Sequence, residues 1–98
     1  MENSQENNLN RLTMFIGANN DTGNVEVAKV ESVLDKHFDG YNYLHSSGRW
    51  QGMNEKSLNV FIATSEPIKK IKSVIQELKK ILIQDSIMVE YNNEVYFL

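Results

Sequence analysis

The chain has 98 residues, 41% of them hydrophobic and 23% charged, with a net charge of −3 and no cysteine. Those values describe one globular domain whose thin core oligomerisation would support, and they exclude disulfides, thiolate metal sites and cysteine nucleophiles. The acidic balance gives no overall pull toward nucleic acid or anionic lipid, and no apolar run reaches membrane-spanning length.

Residues 1–10, MENSQENNLN, lack the basic start and apolar stretch of a signal peptide. They are expected to be a disordered tail, with residues 11–98 as a single cytoplasmic domain. RLTMFIG, residues 11–17, alternates as a strand, with Leu12, Met14 and Ile16 on one side and Phe15 on the other. ANNDTGN follows as a loop. Over residues 25–38 the period becomes helical, placing Val27, Val30, Leu34 and Phe38 on one stripe, and Gly40 is expected to cap the end.

YNYLHSS, residues 41–47, is a second strand leading into SSGRWQG, a flexible stretch bracketed by Gly48 and Gly52. SLNVFIATS, residues 57–65, is a third strand with Leu58, Val60 and Ile62 on one side and Phe61 on the other. Ser65 then caps a helix whose first turn tolerates Pro67, and Ile68, Ile71, Ile75, Leu78 and Leu82 keep its spacing. SIMVEY is the fourth strand, NNE a turn, and VYFL a short edge strand. The order β-α-β-β-α-β with an appended strand predicts an α+β, ferredoxin-like split sheet with both helices on one face.

Such a sheet leaves its other face open. Parity assigns Phe15, Phe61, Tyr41, Tyr43, His45 and Met88 to that face, a breadth of apolar surface rare on a monomer. The expected cover is a second copy, with Phe15, Phe61, Tyr41 and Met88 as the oligomer interface. A small-molecule pocket wall is a second use. Weak single-stranded RNA binding is a third, since bases stack on aromatics of the middle strands. SLNVFIATS lacks the basic and glycine residues of the RNA-binding third-strand motif, and the net charge opposes phosphate binding.

Trp50, the only tryptophan, adjoins Arg49. Both residue types concentrate at the energetic centres of interfaces, and a guanidinium beside an aromatic suits a carboxylate, a phosphate or a stacked base. A tryptophan packed over its own sheet as a lid is the plainer alternative. Tyr43 and His45 are expected to complete a pocket with Arg49 and Trp50. The loop of Asn19, Asn20, Asp21, Thr22 and Gly23 precedes a helix and is expected to add backbone donors for an anion. It matches neither the phosphate-binding lysine loop nor the G-x-G-x-x-G fingerprint, and Asp21, Thr22 and Asn24 acting as helix caps is the competing reading. His37 and His45 stand apart with no metal-ligand spacing, so no metal or cofactor is expected. His37 suits a helix end as a cation. His45 with Arg49 offers a phosphodiesterase alternative, without an accompanying nucleophile or oxyanion arrangement. Lys69, Lys70, Lys72, Lys79 and Lys80 make a basic stripe on the second helix, opposed there only by Glu77.

FIG (15–17), GRW (48–50) and EKS (55–57) resemble the F-x-G, G-x-W and E-x-S elements of a loosely defined set of small uncharacterised bacterial and phage proteins. The resemblance implies a ferredoxin-like dimer and carries no assigned chemistry. A short cysteine-free chain rich in Asn, Lys and Ile is also of the phage accessory kind, many of which act against host defence. The resulting expectation is a non-enzymatic, homo-oligomeric binding protein that captures a small anionic nucleotide or occludes a host protein. A small phosphodiesterase and a purely structural dimer are the alternatives.

Overall fold

The computed structural model describes residues 9–98, so the expected tail at 1–10 lies outside the described residues except for its last two. The elements are β1 (Asn10–Gly17), α1 (Val27–Leu34), β2 (Asn42–Trp50), β3 (Met53–Thr64), α2 (Ile68–Leu82), β4 (Met88–Tyr91) and β5 (Glu94–Phe97). They form a small α+β fold in which one antiparallel sheet of five strands runs in the order β2-β3-β1-β4-β5.

Alternation decides which side of each strand is dry. Residues paired across antiparallel strands share a face, and the register pairs Leu12, Met14 and Ile16 with Ile62, Val60 and Leu58. Val89 and Tyr91 of β4 join the same face through Met14 and Leu12. These side chains bury against Val30, Val33 and Leu34 of α1 and Ile71, Val74, Ile75, Leu78 and Leu82 of α2. Burial of these large apolar side chains supplies the main stabilising term, about 1.5–3 kcal/mol for each.

Periodicity located every element, and tertiary context moved the ends. The first helix is shorter than expected because its last turn tightens, with Lys36 and His37 N–H bonding to the Val33 and Leu34 carbonyls. Gly40 is not its cap: Asp35 closes the helix in right-handed geometry, and Gly40 has no positive φ. Nor do Asp21, Thr22 or Asn24 cap its start, where Glu26 stands without a side-chain capping bond. Ser65 does not cap α2, whose N-cap is Pro67. The stretch expected to be a flexible connection, SSGRWQG, is mostly strand, folded by a turn at Gln51 and Gly52 with φ of 50° and 80°. Positive φ at both central residues is what a tight two-residue hairpin requires. Asn92 and Asn93, φ 53° and 68°, make the equivalent turn before β5. That last strand pairs within its own chain, continuing to mutual backbone bonds between Ile87 and Leu98.

Two features pin the helices. Glu77 of α2 accepts hydrogen bonds from Lys36 and from His37, whose Nε2 lies 2.9 Å away, so the end of α1 is tied to the middle of α2. Ile83 ends α2 at φ 54°, ψ 58°, and its N–H and that of Gln84 both reach the Lys79 carbonyl. A β-branched residue is strained in this left-handed region.

Replacing Ile83 with glycine is expected to stabilise the fold by about 1 kcal/mol, the scale of the left-handed penalty, measured by urea denaturation. The Lys36 hydrogen bond, then that of His37, holds the Glu77 carboxyl below its ordinary 4.5. A depressed carboxylate contributes stability above its unfolded value and loses it as the pH falls through the folded one. Melting temperature should therefore drop below about pH 4.5 in the native protein, and less steeply in Glu77→Gln.

Candidate functional site

The pairing of β3 with β1 stops at Ser57↔Gly17, but its pairing with β2 runs on to Trp50↔Met53. The outer pairs Ser47↔Lys56, Gly48↔Glu55, Arg49↔Asn54 and Trp50↔Met53 thus form a two-stranded arm with no third strand. Every residue from 47 to 56 is exposed. Register gives the arm two sides. Ser47, Arg49, Asn54 and Lys56 share the parity of Leu58 and Val60, the helix side, whereas Trp50, Met53, Gly48 and Glu55 share the parity of Phe61.

A cleft of about 650 Å³ lies between this arm and the loop joining β1 to α1. Asn19, Asn20 and Gly23 line it from the loop, and Ser47, Asn54 and Lys56 from the arm. Glu55 lines it too, so one ammonium and one carboxylate face the same space. A second hollow of about 420 Å³ adjoins it, lined by His45, Ser46, Ser47 and Lys56. Lys56 is common to both, and its Nζ donates to Asn24 Oδ1 at 3.2 Å. Volumes of this size match small-molecule sites, commonly about 300–1,000 Å³.

The loop holds its own shape. Asn19 Oδ1 accepts from the N–H groups of Asp21 (2.8 Å) and Thr22 (3.1 Å), the Asn19 carbonyl from Gly23, and Thr22 Oγ1 from Asn24. Of the backbone donors expected to hold an anion, those of Asn19, Asp21, Thr22 and Gly23 are therefore spent inside the loop. The Asn19 amide is spent too, its Nδ2 donating to Glu26 Oε1 at 3.2 Å, so the amide the loop offers the cleft is that of Asn20. Its base is fixed by Gln84, whose Nε2 donates to the carbonyls of Gly17 (3.1 Å) and Ala18 (3.2 Å).

Several expected site residues stand elsewhere. Arg49 donates to Asn54 Oδ1 at 2.7 Å and to the Gly52 carbonyl at 2.5 Å, so its guanidinium closes the arm's own turn. Trp50 is 65% exposed at the arm's tip and is no lid. Tyr41, Tyr43 and His45 were expected on the open face, and the structure corrects all three. Tyr43 pairs with Val60 and His45 with Leu58, which puts both on the helix side. Tyr43 donates to Glu31 Oε2 (3.0 Å) and Tyr41 to Asp35 Oδ1 (2.7 Å), both carboxylates on or beside α1. Tyr41 packs against the core rather than an interface. Of the expected pocket, the structure unites His45 with the arm and Asn19, Asn20 and Gly23 with the cleft. Lys56, Ser47, Asn54 and Gln84 complete the surroundings, and no sequence spacing marks them.

Phe15, Phe61 and Met88 do lie on the uncovered face: Phe15 pairs with Met88 and Asn59, and Phe61 with Thr13. Leu44, Val95 and Phe97 join them by register. Among the described residues no group of three His, Cys, Asp or Glu side chains is arranged to hold a metal, and no helix is long and apolar enough to cross a membrane.

No protein-family model and no curated protein sequence matches the chain. Solved structures do share its fold. A phage SAM lyase in its apo state aligns with a TM-score of 0.74 at 18% identity, covering 100% of this chain and 94% of that one. The phage SAM lyase in complex with S-methyl-5'-thioadenosine gives 0.70 at 16%, covering 93% and 89%. CPII, a nitrogen regulatory PII-like protein from Thiomonas intermedia K12 bound to ADP, AMP and bicarbonate, gives 0.55 at 13%, covering 92% and 91%.

Burial, then the Asp35 hydrogen bond, pushes the Tyr41 phenol well above its ordinary 10.0. A raised acid contributes stability below its unfolded value and loses it as the pH rises toward the folded one. Stability should hold up to about pH 10 and decline above it, and Tyr41→Phe should flatten that decline in alkaline thermal melts.

Proposed function

We propose that this chain is a homo-oligomeric, ferredoxin-like binding protein of the phage accessory type. It holds a small adenosine-containing molecule in the cleft between the loop at residues 18–24 and the polar side of the arm. The observation that carries the reading is the convergence of Lys56, Ser47 and Asn54 with Asn19 and Asn20 around one space of ligand size. The Asn20 amide offers a paired donor and acceptor that suit a purine edge, and Asn54 keeps its Nδ2 as a donor beside the Oδ1 bonded to Arg49. Lys56 supplies the charge for a phosphate or a carboxylate, and Glu55 accepts from ribose hydroxyls or an ammonium. The fold supports this choice of ligand class, because relatives in shape were solved with S-methyl-5'-thioadenosine and with ADP and AMP. Capture of such a molecule, rather than occlusion of a host protein, fits a site that is concave and polar. Sequestering a nucleotide signal is the counter-defence role it would serve.

A second reading is enzymatic. The similarity to an enzyme, the phage SAM lyase, favours it, as does the shared hollow of His45 and Lys56. Since Arg49 is committed to its turn, a phosphodiesterase or a lyase here would rely on Lys56 for charge.

Thermal melts with AMP, ADP, ATP and S-adenosylmethionine, followed by chromatography of the recovered ligand, separate the two. Capture predicts a raised melting temperature with the ligand intact, and product formation establishes the enzyme instead. Lys56→Ala should weaken binding about tenfold or more, the value of one hydrogen bond to a charged group. No shift with any of the four removes the adenosine reading.

A further inference from the structure

The arm's second side reaches the cleft only through Glu55 and Met53, and its tip is the apolar one. Trp50 and Met53 lie opposite each other at the tip, 65% and 71% exposed, and their parity is that of the uncovered sheet face. On that face Leu44 (50%), Phe61 (38%), Val95 (57%) and Phe97 (74%) also stand free, beside half-buried Phe15 and Met88. Leu44, Asn59, Phe15, Met88 and Phe97 form one row across all five strands. The six exposed side chains together offer on the order of 700 Å² of apolar-residue surface, close to the ~800 Å² per partner of a standard stable interface. The tip overhangs the third strand by about four residues, or ~13 Å at 3.3 Å per residue. A two-stranded ribbon of that kind is marginal alone in water.

From this we infer that the arm is an assembly element: it lays Trp50 and Met53 on the uncovered sheet face of a second copy of this chain, next to that copy's Phe15, Met88 and Phe97. The inference rests on the homo-oligomeric part of the proposed function and assigns its contact. A second copy is the occupant that the molecule itself specifies, because the apolar tip and the apolar face belong to the same chain and neither is covered within it. Arg11 and Glu90 lie on the open sheet face, one charge of each sign, and Glu55 adds a carboxylate on the arm, which Arg11 of the second copy is available to pair. The contact also bears on the cleft. The strands that carry Trp50 and Met53 carry Ser47, Asn54 and Lys56 on their other side, so seating the tip immobilises one wall of the ligand site.

The sole tryptophan makes the contact measurable. Mass by light scattering and Trp50 emission with acrylamide quenching are followed together over a dilution series. The expected result is an oligomer whose Trp50 emits to the blue and resists quenching, shifting red in step with dissociation. Phe97→Lys, which alters an exposed edge residue, should expose Trp50 again, and Met53→Lys should lower the mass. An oligomer in which Trp50 is quenched like a free indole overturns the arm contact and leaves the oligomer standing. A monomer at every concentration overturns both.

Discussion

Two helices cover one face of a five-stranded sheet and no more. Strict alternation in β1 and β3 puts Leu12, Met14, Ile16, Leu58, Val60 and Ile62 under α1 and α2, and the same alternation forces Phe15 and Phe61 to the other side. A polar set there would have left that face suited to water. Instead the uncovered side carries phenylalanine on β1, β3 and β5, leucine on β2 and methionine on β4. The core and the apolar uncovered face are thus two consequences of one pattern.

Beyond the reach of β1, that pattern continues on the hairpin arm without a helix to sort it. There the helix-side positions become Ser47, Asn54 and Lys56, and the open-side positions at the tip become Trp50 and Met53. A ribbon wetted on both sides would need neither. The polar side has a neighbour in its own chain, the loop at residues 18–24, with Lys56 bonded to Asn24 across the gap. On the other side Met53 and Glu55 border that cleft, while Trp50 stands exposed at the tip. The proposed ligand cleft and the proposed assembly surface share one pair of strands.

Element order was legible because period-two and period-3.6 patterns hardly overlap in this chain. The uncovered phenylalanines were legible for the same reason. Strand β2 was not, since its polar and aromatic residues alternate with no clear apolar parity. Tyr43 and His45 look like members of an aromatic face until the register pairs them with Val60 and Leu58. Their polar atoms were the missing signal: the Tyr41 and Tyr43 hydroxyls bond carboxylates at α1, so these rings belong on the helix side. Lys56 was invisible for another reason. It becomes a site residue only because Ser47 lies opposite and a loop more than thirty positions away folds against it.

Local satisfaction explains why the conspicuous candidates fell away. Arg49 lies within three to five residues of two acceptors in its own turn, Gly52 and Asn54, and a bond that short in sequence costs little chain entropy to close. The Asn19 loop behaves likewise, spending its donors on its own side chains and carbonyls. Polar groups that close a turn are held by it, whereas those set by tertiary contact join distant parts of the chain, as Lys56 does to Asn24. The strained end of α2 belongs to this second kind. Holding Ile83 in left-handed geometry turns the chain so that Gln84 reaches the carbonyls of Gly17 and Ala18 at the loop's base. Strain of this sort, of order 1–3 kcal/mol, persists only where surrounding contacts over-determine it. Here they do so beside the cleft-lining loop, through the Gly17 and Ala18 carbonyls.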